Sequence, residues 1–308
     1  MESLTLNLHL TEKCNFSCVY CFAHWDKKEE IFSNAGRFVE FIKFLDQQAR
    51  FGMGVQNLTI NFAGGEPARF KHLTAGVDAC RSLNIKTSVI SNGLLFRRYG
   101  VEQIANMFDV VGISVDSVQS STNESCGRVD RSGRAMDYDL VKQNFIALKK
   151  LRPNLITKIN TVVSNLNYCE EIISYVNSCG IDRWKIFRVL PVGNIAGISA
   201  ENFSYFLSRN AGYAGTIIED NADMLEAYIM INSNGNLYQS SEADGRIAYK
   251  YYDLMRGGLF EGLRRIGFNV GKYRRRYRVD GGFCCFEEDR AGRLADRPEE
   301  AKRRRLLS

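Results

Sequence analysis

Three cysteines lie close together in the stretch Lys13-Cys14-Asn15-Phe16-Ser17-Cys18-Val19-Tyr20-Cys21-Phe22. A structural zinc ion takes four ligands, so zinc would need His9 or His24 in addition to the three thiolates. Three thiolates on one loop also suit a 4Fe–4S cluster whose fourth iron stays open to a small molecule. We favour the cluster and keep zinc as the alternative. The predicted metal ligands are Cys14, Cys18 and Cys21.

Outward from this loop, short apolar runs alternate with segments of helical periodicity. The runs that predict strands are Leu4–Leu10, Leu58–Phe62, Thr87–Ile90, Val110–Val115, Thr157–Val163 and Trp184–Leu190. The segments that predict helices lie around Phe38–Leu45 and near His72–Leu83, Val101–Met107, Leu140–Leu151 and Tyr168–Cys179. This alternation predicts an α/β fold with parallel strands, either a sheet or a partial (βα)6 TIM-like barrel. In such folds the functional side chains lie at the carboxyl ends of the strands.

The alternating pattern ends near residue 195 and divides the chain into three regions. The predicted regions are a barrel over 1–195, a C-terminal α+β extension that closes the substrate side over 196–283, and a charged, flexible tail over 284–308. Within the extension, Ser233-Asn234-Gly235 separates two segments, Leu225–Ile231 and Asn236–Gln239. That arrangement predicts a β-hairpin.

The net charge of +6 over 308 residues is concentrated in one segment. Residues 256–278 contain eight basic residues and one acidic residue, a net charge of +7, so the rest of the chain is close to neutral. This distribution disfavours a uniformly basic surface, and we expect no specific nucleic-acid partner. The segment either closes over a phosphate-bearing substrate or forms a solvated surface that binds nucleic acid non-specifically.

The subcellular location is predicted from the absence of targeting and membrane-spanning patterns in the sequence. The first residues do not resemble a secretory signal, and no apolar run approaches the ~18 residues that a membrane span needs. We therefore expect a soluble, cytoplasmic protein with no membrane partner. Thiols stay reduced in that compartment, which favours metal binding over disulfides for the clustered cysteines. Two further cysteines, Cys284 and Cys285, are adjacent in the sequence. We do not expect them to bind a second iron–sulfur cluster, because such sites usually contain several more cysteines at set spacings.

A second polar motif, Asn61-Phe62-Ala63-Gly64-Gly65-Glu66-Pro67, follows the second predicted strand. Its glycines allow close approach of the backbone to a ligand, and its carboxylate can accept a strong hydrogen bond from an ammonium group. Ser91-Asn92-Gly93 and Ser114-Val115-Asp116 end the next two strands, and Arg128 follows them. Taken singly, each of these is also an ordinary turn or surface residue.

Together, the cysteine spacing and the Gly-Gly-Glu-Pro motif resemble the radical S-adenosylmethionine (radical SAM) superfamily. The resemblance implies a partial barrel of the radical SAM type that holds a 4Fe–4S cluster and S-adenosylmethionine. It implies that Glu66 pairs with the methionine ammonium of the cofactor and that Arg128 pairs with the methionine carboxylate. The implied cofactor-binding residues are Phe22, Gly64, Gly65, Glu66, Asn92, Ser114 and Arg128.

A narrower resemblance, to the viperin-like branch and especially its prokaryotic members, covers about residues 4–280. It depends most on Lys158-Ile159-Asn160 and Arg183-Trp184-Lys185. It implies a carbon–oxygen lyase in which a 5′-deoxyadenosyl radical removes the C4′ hydrogen of CTP, UTP or GTP. The 3′ hydroxyl then leaves as water, and a further reduction gives a 3′-deoxy-3′,4′-didehydro nucleotide, a chain terminator for antiviral defence. An electron donor such as a flavodoxin or ferredoxin is also implied. The implied substrate-binding residues are Asn7, Asn61, Lys158, Asn160, Arg183 and Lys185.

The residue types agree with this implication. If their registers place Lys158, Arg183 and Lys185 on one face, three cations share a cavity, and a triphosphate is a suitable partner for them. Thr59 and Ala63 stand where vertebrate viperins carry lysine and serine, so phosphate contacts or base preference are expected to differ. Two alternatives remain. A radical SAM enzyme for a peptide or other metabolite would need an acidic or apolar groove, and a binding module with a vestigial cluster would need none of the cofactor residues.

Overall fold

The structure is a computed structural model that describes residues 3–22, 31–243 and 246–277. Its strands are β1 (Ser3–His9), β2 (Asn57–Ala63), β3 (Lys86–Ser91), β4 (Val110–Ser114), β5 (Ile156–Val163), β6 (Arg183–Arg188), β7 (Thr216–Glu219), β8 (Met230–Ile231), β9 (Asn236–Ala243) and β10 (Arg246–Asp253). Its α-helices are α1 (Ala35–Met53), α2 (Leu73–Ser82), α3 (Leu94–Arg98), α4 (Val101–Met107), α5 (Ser120–Ser125), α6 (Tyr138–Leu151), α7 (Ile173–Ser178), α8 (Ala200–Arg209), α9 (Asn221–Met224), α10 (Leu254–Ile266) and α11 (Val270–Tyr277). Two short 3₁₀ turns lie at Ile31–Ser33 and Pro67–Arg69.

All these strands belong to one sheet in the order β10-β9-β8-β1-β2-β3-β4-β5-β6-β7. Neighbouring strands are parallel from β8 through β7, and β9 and β10 pair antiparallel. The six strands expected from the apolar runs are present as β1 to β6, with helices between them. The predicted partial (βα)6 barrel is therefore confirmed.

Alternation along the strands separates an apolar face from a polar one. In β5, Thr157, Ile159 and Thr161 are fully buried or nearly so, whereas Lys158 and Asn160 lie on the opposite face. Side chains alternate because successive residues of a strand point to opposite faces of the sheet. Lys158 and Asn160 therefore lie on the face opposite the buried core residues of β5.

The C-terminal extension adds to both edges of the barrel sheet. Strand β7 pairs with β6, and β8 pairs with β1 and continues into β9 and β10. The predicted hairpin is present as β8 and β9, but its first strand begins at Met230 rather than Leu225. The boundary at residue 195 stays a prediction, and the proposed tail over 284–308 lies outside the described residues, as does Cys284-Cys285.

The basic segment forms α10 and α11, which the sequence analysis did not predict. Helix α11 contacts the barrel through Tyr273, whose hydroxyl accepts a hydrogen bond from the Thr5 backbone N at 2.7 Å. In the part of the chain that the structure describes, none of the helices combines the length and apolar character that crossing a membrane requires.

Candidate active site

The cysteine loop follows β1 directly, at the carboxyl ends of the parallel strands. The side chains of Cys14, Cys18 and Cys21 are partly buried. Backbone bonds from Ser17 N to Gly127 O (2.9 Å) and from Val19 N to Cys126 O (3.0 Å) fix the loop against the segment after α5. The position of the cysteine loop is thus fixed by hydrogen bonds to a segment more than 100 residues further along the chain.

The thiols suit a cluster better than a single ion. Within residues 3–22, 31–243 and 246–277, no group of three or more His, Cys, Asp or Glu side chains is arranged to hold one metal ion. A cluster takes one thiolate per iron and spreads its ligands, so it needs no such convergence. Of the two histidines proposed as zinc ligands, His9 has its Nδ1 2.5 Å from the Tyr238 hydroxyl. The other proposed zinc ligand, His24, lies outside the described residues.

Burial favours the protonated form of the Cys14 and Cys18 thiols. It raises the pKa of Cys18 to about 12, and the positive charge of Arg128 opposes the increase. Burial also raises the pKa of Cys14. Metal binding to these groups therefore releases protons, as it does for any thiolate ligand.

A buried ion pair connects the cysteine loop to the barrel. Asp116 follows β4, and its Oδ2 accepts hydrogen bonds from Tyr20 Oη at 2.7 Å and from Arg128 Nη1 at 2.6 Å. Its Oδ1 accepts from Val162 N of β5 at 2.7 Å. Arg128 Nη2 also donates to Ser114 O at 2.6 Å. Asp116 was noted in the sequence only as the end of a strand motif, so its role as the shared acceptor was missed.

Glu66 is fully buried, and its carboxylate is hydrogen-bonded by the protein itself. Oε1 accepts from Ala68 N (3.0 Å) and Ser91 Oγ (2.9 Å), and Oε2 accepts from Asn92 N (2.7 Å). Burial raises the pKa of Glu66 to about 7, although these three hydrogen bonds act to lower it. The carboxylate therefore joins the second polar motif to the end of β3. Its contact with a cofactor ammonium stays a prediction.

The two glycines of the motif approach protein backbone rather than open space. A Cβ on Gly65 would lie 2.6 Å from both Glu12 O and Lys13 O, and one on Gly64 would lie 2.7 Å from Thr11 O. Gly64 also has a φ of +122°, which disfavours any other residue. The motif thus packs directly under the segment that leads into Cys14.

The remaining predicted cofactor residues surround the same loop. Asn92 Nδ2 lies 3.4 Å from Cys14 Sγ and donates to Asn15 Oδ1 at 2.9 Å. Phe22 is partly exposed, with its ring centroid 5.8 Å from that of His9. Ser114 ends β4 beside the ion pair. The structure gathers these residues around the cysteines, and their contacts with a cofactor stay predictions.

Three asparagines predicted to bind substrate lie on the polar face. Asn7 and Asn61 are register partners, and Asn61 Nδ2 donates to Asn7 Oδ1 at 2.9 Å. Asn160 lies beside Lys185 in register. The Oδ1 atoms of Asn61 and Asn160 are buried without a hydrogen-bond partner among the described residues. A buried oxygen of this kind favours a ligand that donates a hydrogen bond, such as a ribose hydroxyl.

The three predicted cations also share this face. Lys158 and Arg183 are register partners, and Lys185 follows two residues after Arg183. Burial lowers the pKa of Lys158 to about 7, and the charges of Lys185 and Arg183 lower it further. Burial lowers the pKa of Lys185 to about 8, with Arg276 adding to the decrease and Glu219 opposing it. Lys158 and Lys185 are partly buried and interact electrostatically, whereas Arg183 is exposed.

Two charged residues here were not among the predicted site residues, although Arg276 lies in the basic segment for which closure over a substrate was one alternative. Glu219 ends β7 and pairs with Lys185 and with Arg276 of α11. Tyr228 Oη donates to Glu219 Oε2 at 2.8 Å. Strand β7 is short and shows no clear alternation of polar and apolar residues, and α11 is a run of arginines, so periodicity gave no signal for either residue.

Comparison with known proteins agrees with this architecture. The model of the radical SAM superfamily matches residues 8–176. An S-adenosylmethionine-dependent nucleotide dehydratase of Psychrobacter lutiphocae is 31% identical over 286 residues, which cover 90% of this chain and 95% of that relative. A protein of the same description from Oncorhynchus mykiss is 26% identical over 291 residues and covers 88% of this chain, with 78% of its own length matched.

Solved structures with low sequence identity have the same fold. Streptococcus suis SuiB bound to S-adenosylmethionine has a TM-score of 0.53 at 20% identity, over 77% of this chain and 60% of SuiB. The protein anSMEcpe, with bound AdoMet and a Cp18Cys peptide, has a TM-score of 0.53 at 17% identity, over 90% of this chain and 82% of that protein. At these identities, the likeness concerns the fold alone.

We expect Asp116→Asn to lower the free energy of unfolding by about 3–5 kcal/mol, because Arg128 would stay charged and buried without its counterion. Urea unfolding of the anaerobic protein measures this loss. Glu40→Gln is the control, since the Glu40–Lys43 pair is exposed and such pairs contribute about 0–1 kcal/mol. Equal losses for the two variants would contradict a structural role for the ion pair.

Gly65→Ala should reduce iron incorporation, because its Cβ would push against the backbone of Glu12 and Lys13 and displace the cysteine loop. Iron content and absorbance after reconstitution measure the effect. Gly52→Ala provides the control. A Cβ at Gly52 meets nothing within 4 Å, so this change in α1 should keep the iron and stabilise the helix by up to about 1 kcal/mol. Full iron loading of Gly65→Ala would contradict the packing argument.

Proposed function

Because this chain belongs to the radical SAM superfamily, we propose that it is a nucleotide dehydratase that acts on a ribonucleoside triphosphate. The superfamily's cofactors, a 4Fe–4S cluster and S-adenosylmethionine, fit the three thiols and the strand ends around them. The observation that carries the choice of substrate is the placement of Lys158, Arg183 and Lys185 on one polar face. The 31% identical relative, a nucleotide dehydratase matched over nearly its whole length, supports the same choice.

The cations favour a triphosphate over a peptide. Two of them are enclosed, and their lowered pKa values record the cost of holding like charges together away from water. A triphosphate would offset this cost, because several anionic oxygens would meet the ammonium and guanidinium groups directly. An uncharged peptide offers no such compensation. A vestigial binding module would not require the buried Glu66 and Arg128 beside intact cysteines.

The substrate's ribose is proposed to lie between these cations and the cysteine loop. When bound, the cluster and S-adenosylmethionine supply a 5′-deoxyadenosyl radical. Asn7, Asn61 and Asn160 would orient the ribose through its hydroxyl groups, using the two buried oxygens that have no protein partner among the described residues. The barrel interior excludes water from the reacting carbon.

The proposed product is a 3′-deoxy-3′,4′-didehydro nucleotide made from CTP, UTP or GTP. Loss of the 3′ hydroxyl would leave a polymerase nothing to extend, which is the basis of the proposed antiviral role. The reaction also needs two external electrons, one to cleave S-adenosylmethionine and one to reduce the substrate radical after the 3′ hydroxyl has left as water. We propose a flavodoxin or ferredoxin as their source. We further propose that the protein acts in the cytoplasm, where its thiols would stay reduced.

The decisive experiment is anaerobic incubation of the reconstituted protein with S-adenosylmethionine, a reductant and each nucleoside triphosphate in turn. Mass spectrometry should detect a dehydrated nucleotide, and 5′-deoxyadenosine should increase sharply with a triphosphate but little with the free nucleoside. Cys14→Ala should abolish both products. If no triphosphate stimulates 5′-deoxyadenosine formation, the proposed substrate class is wrong.

Lys158→Ala should raise the apparent KM for the triphosphate by about 10-fold or more, since each charge-assisted contact contributes about 1.5–3 kcal/mol. Cluster content and cofactor cleavage without substrate should not change. Lys150→Ala, an exposed lysine at the end of α6, is the matched control and should behave like the parent. A parental KM for Lys158→Ala would remove this lysine from the proposed site.

Triphosphate binding should weaken as pH rises from about 7 to about 9. Lys158 has a pKa of about 7 in the empty cavity, and contact with phosphate would raise that pKa. Binding therefore takes up a proton in this range, and the affinity falls by up to about 10-fold per pH unit for each lysine so coupled. Calorimetry in two buffers of different ionisation enthalpy measures the uptake. An affinity and a proton count that do not vary with pH would contradict the proposed coupling.

A further inference from the structure

Helix α11 places Arg276 in the wall of the cation-lined cavity. The Arg276 side chain is only 6% exposed, although the helix is strongly basic. Its guanidinium carbon lies 3.3 Å from the centroid of the Tyr228 ring, and its Nη1 donates to Asp223 O at 3.3 Å. Its Nη2 pairs with the Glu219 carboxylate. An arginine held by stacking, a carbonyl and a carboxylate has a fixed position rather than a solvated one.

Glu219 connects Arg276 to the predicted substrate cations. Its side chain is 4% exposed and pairs with both Arg276 and Lys185. Tyr228 contacts all three groups. Its hydroxyl donates to Glu219 and accepts from Lys185 Nζ at 3.3 Å, and its ring stacks on Arg276. Arg276 and Lys185 are therefore neighbours across one shared carboxylate.

Positive charge predominates among the described residues that interact electrostatically with Lys158. The main charged groups acting on Lys158 are Lys185, Arg183 and Arg276, which are positive, and Glu219, which is negative. With Lys158 itself, this set of described residues contains four basic groups and one carboxylate, and the carboxylate pairs directly with Lys185 and Arg276. Buried charges without a partner are strongly unfavourable. Glu219 therefore stabilises the ligand-free protein by compensating part, but not all, of this positive charge. The remaining positive charge is what a polyanion would meet.

We propose that Arg276 is a fourth phosphate ligand, brought to the cavity by the C-terminal helix, and that Glu219 is the internal counterion of the empty site. The proposal rests on the proposed function, since it assumes that the polyanion is a nucleoside triphosphate. On binding, the phosphate oxygens replace the Glu219 carboxylate as partners of Lys185 and Arg276. Glu219 then lowers the affinity for the triphosphate, because the two anions compete for the same cations.

The test is calorimetric titration of the reconstituted protein with CTP, UTP or GTP and the corresponding monophosphate, with S-adenosylmethionine present and no reductant. Arg276→Gln should weaken triphosphate binding by about 10-fold or more and should affect the monophosphate much less. Arg276→Lys should recover part of the loss. Arg275→Gln is the matched control, because Arg275 is exposed on the same helix. It should bind like the parent.

Glu219→Gln separates the counterion from an ordinary structural residue. It should lower the melting temperature of the nucleotide-free protein and tighten triphosphate binding by about threefold or more, because the phosphates no longer compete with a carboxylate. Weaker binding by Glu219→Gln would overturn the counterion role. Equal triphosphate affinity for Arg276→Gln and Arg275→Gln would overturn the ligand role while leaving the proposed function intact. A parent protein that does not prefer triphosphates would overturn the proposed function itself.

Discussion

The position of the cysteine loop depends on the buried ion pair between Asp116 and Arg128. One carboxylate accepts from Tyr20 of the loop, from Arg128 beyond it and from the backbone of β5. Because both side chains are almost fully enclosed, neither charge can exchange its partner for water. Separating a buried ion pair is strongly unfavourable. The loop that contacts the pair therefore keeps a fixed position over the strand ends. The thiols are therefore positioned by barrel residues rather than by their own local sequence.

A second constraint acts on the polar face of β5 and β6, where like charges are held together. Lys158 fits there because Gly112, its register partner on β4, has no side chain. A Cβ at Gly112 would lie 2.6 Å from Lys158 Cε. The absence of a side chain at Gly112 thus leaves room for the Lys158 side chain. The ion pair and the cations together give the barrel one end suited to a cofactor and a polar face suited to an anionic substrate.

The sequence predicted those parts of the molecule that repeat or alternate. Strands β1 to β6 follow from their apolar runs, and the shared face of Lys158 and Lys185 follows from period-two alternation once the strands pair. Strand β7 was missed because Ile217 and Ile218 are both exposed at the sheet edge, so the strand carries no burial pattern. Glu219 and Arg276 were missed for a related reason. Their pairing depends on tertiary packing of α11, which no local pattern encodes.

The same packing explains where much of the positive charge of the basic segment is used. From the sequence, this segment could either close over the substrate or form a surface that binds nucleic acid. Arg264 and Arg265 pair with Glu261, and Lys272 donates to the carbonyls of Ala222 and Leu225. Arg276 turns inward to Glu219. These side chains are used in local ion pairs, carbonyl contacts and the cavity wall, so the net charge of the segment overstates what it presents to solvent. In the proposed site, a polyanion inside the barrel would meet the segment at Arg276, whereas a nucleic acid outside would have to compete with these internal partners.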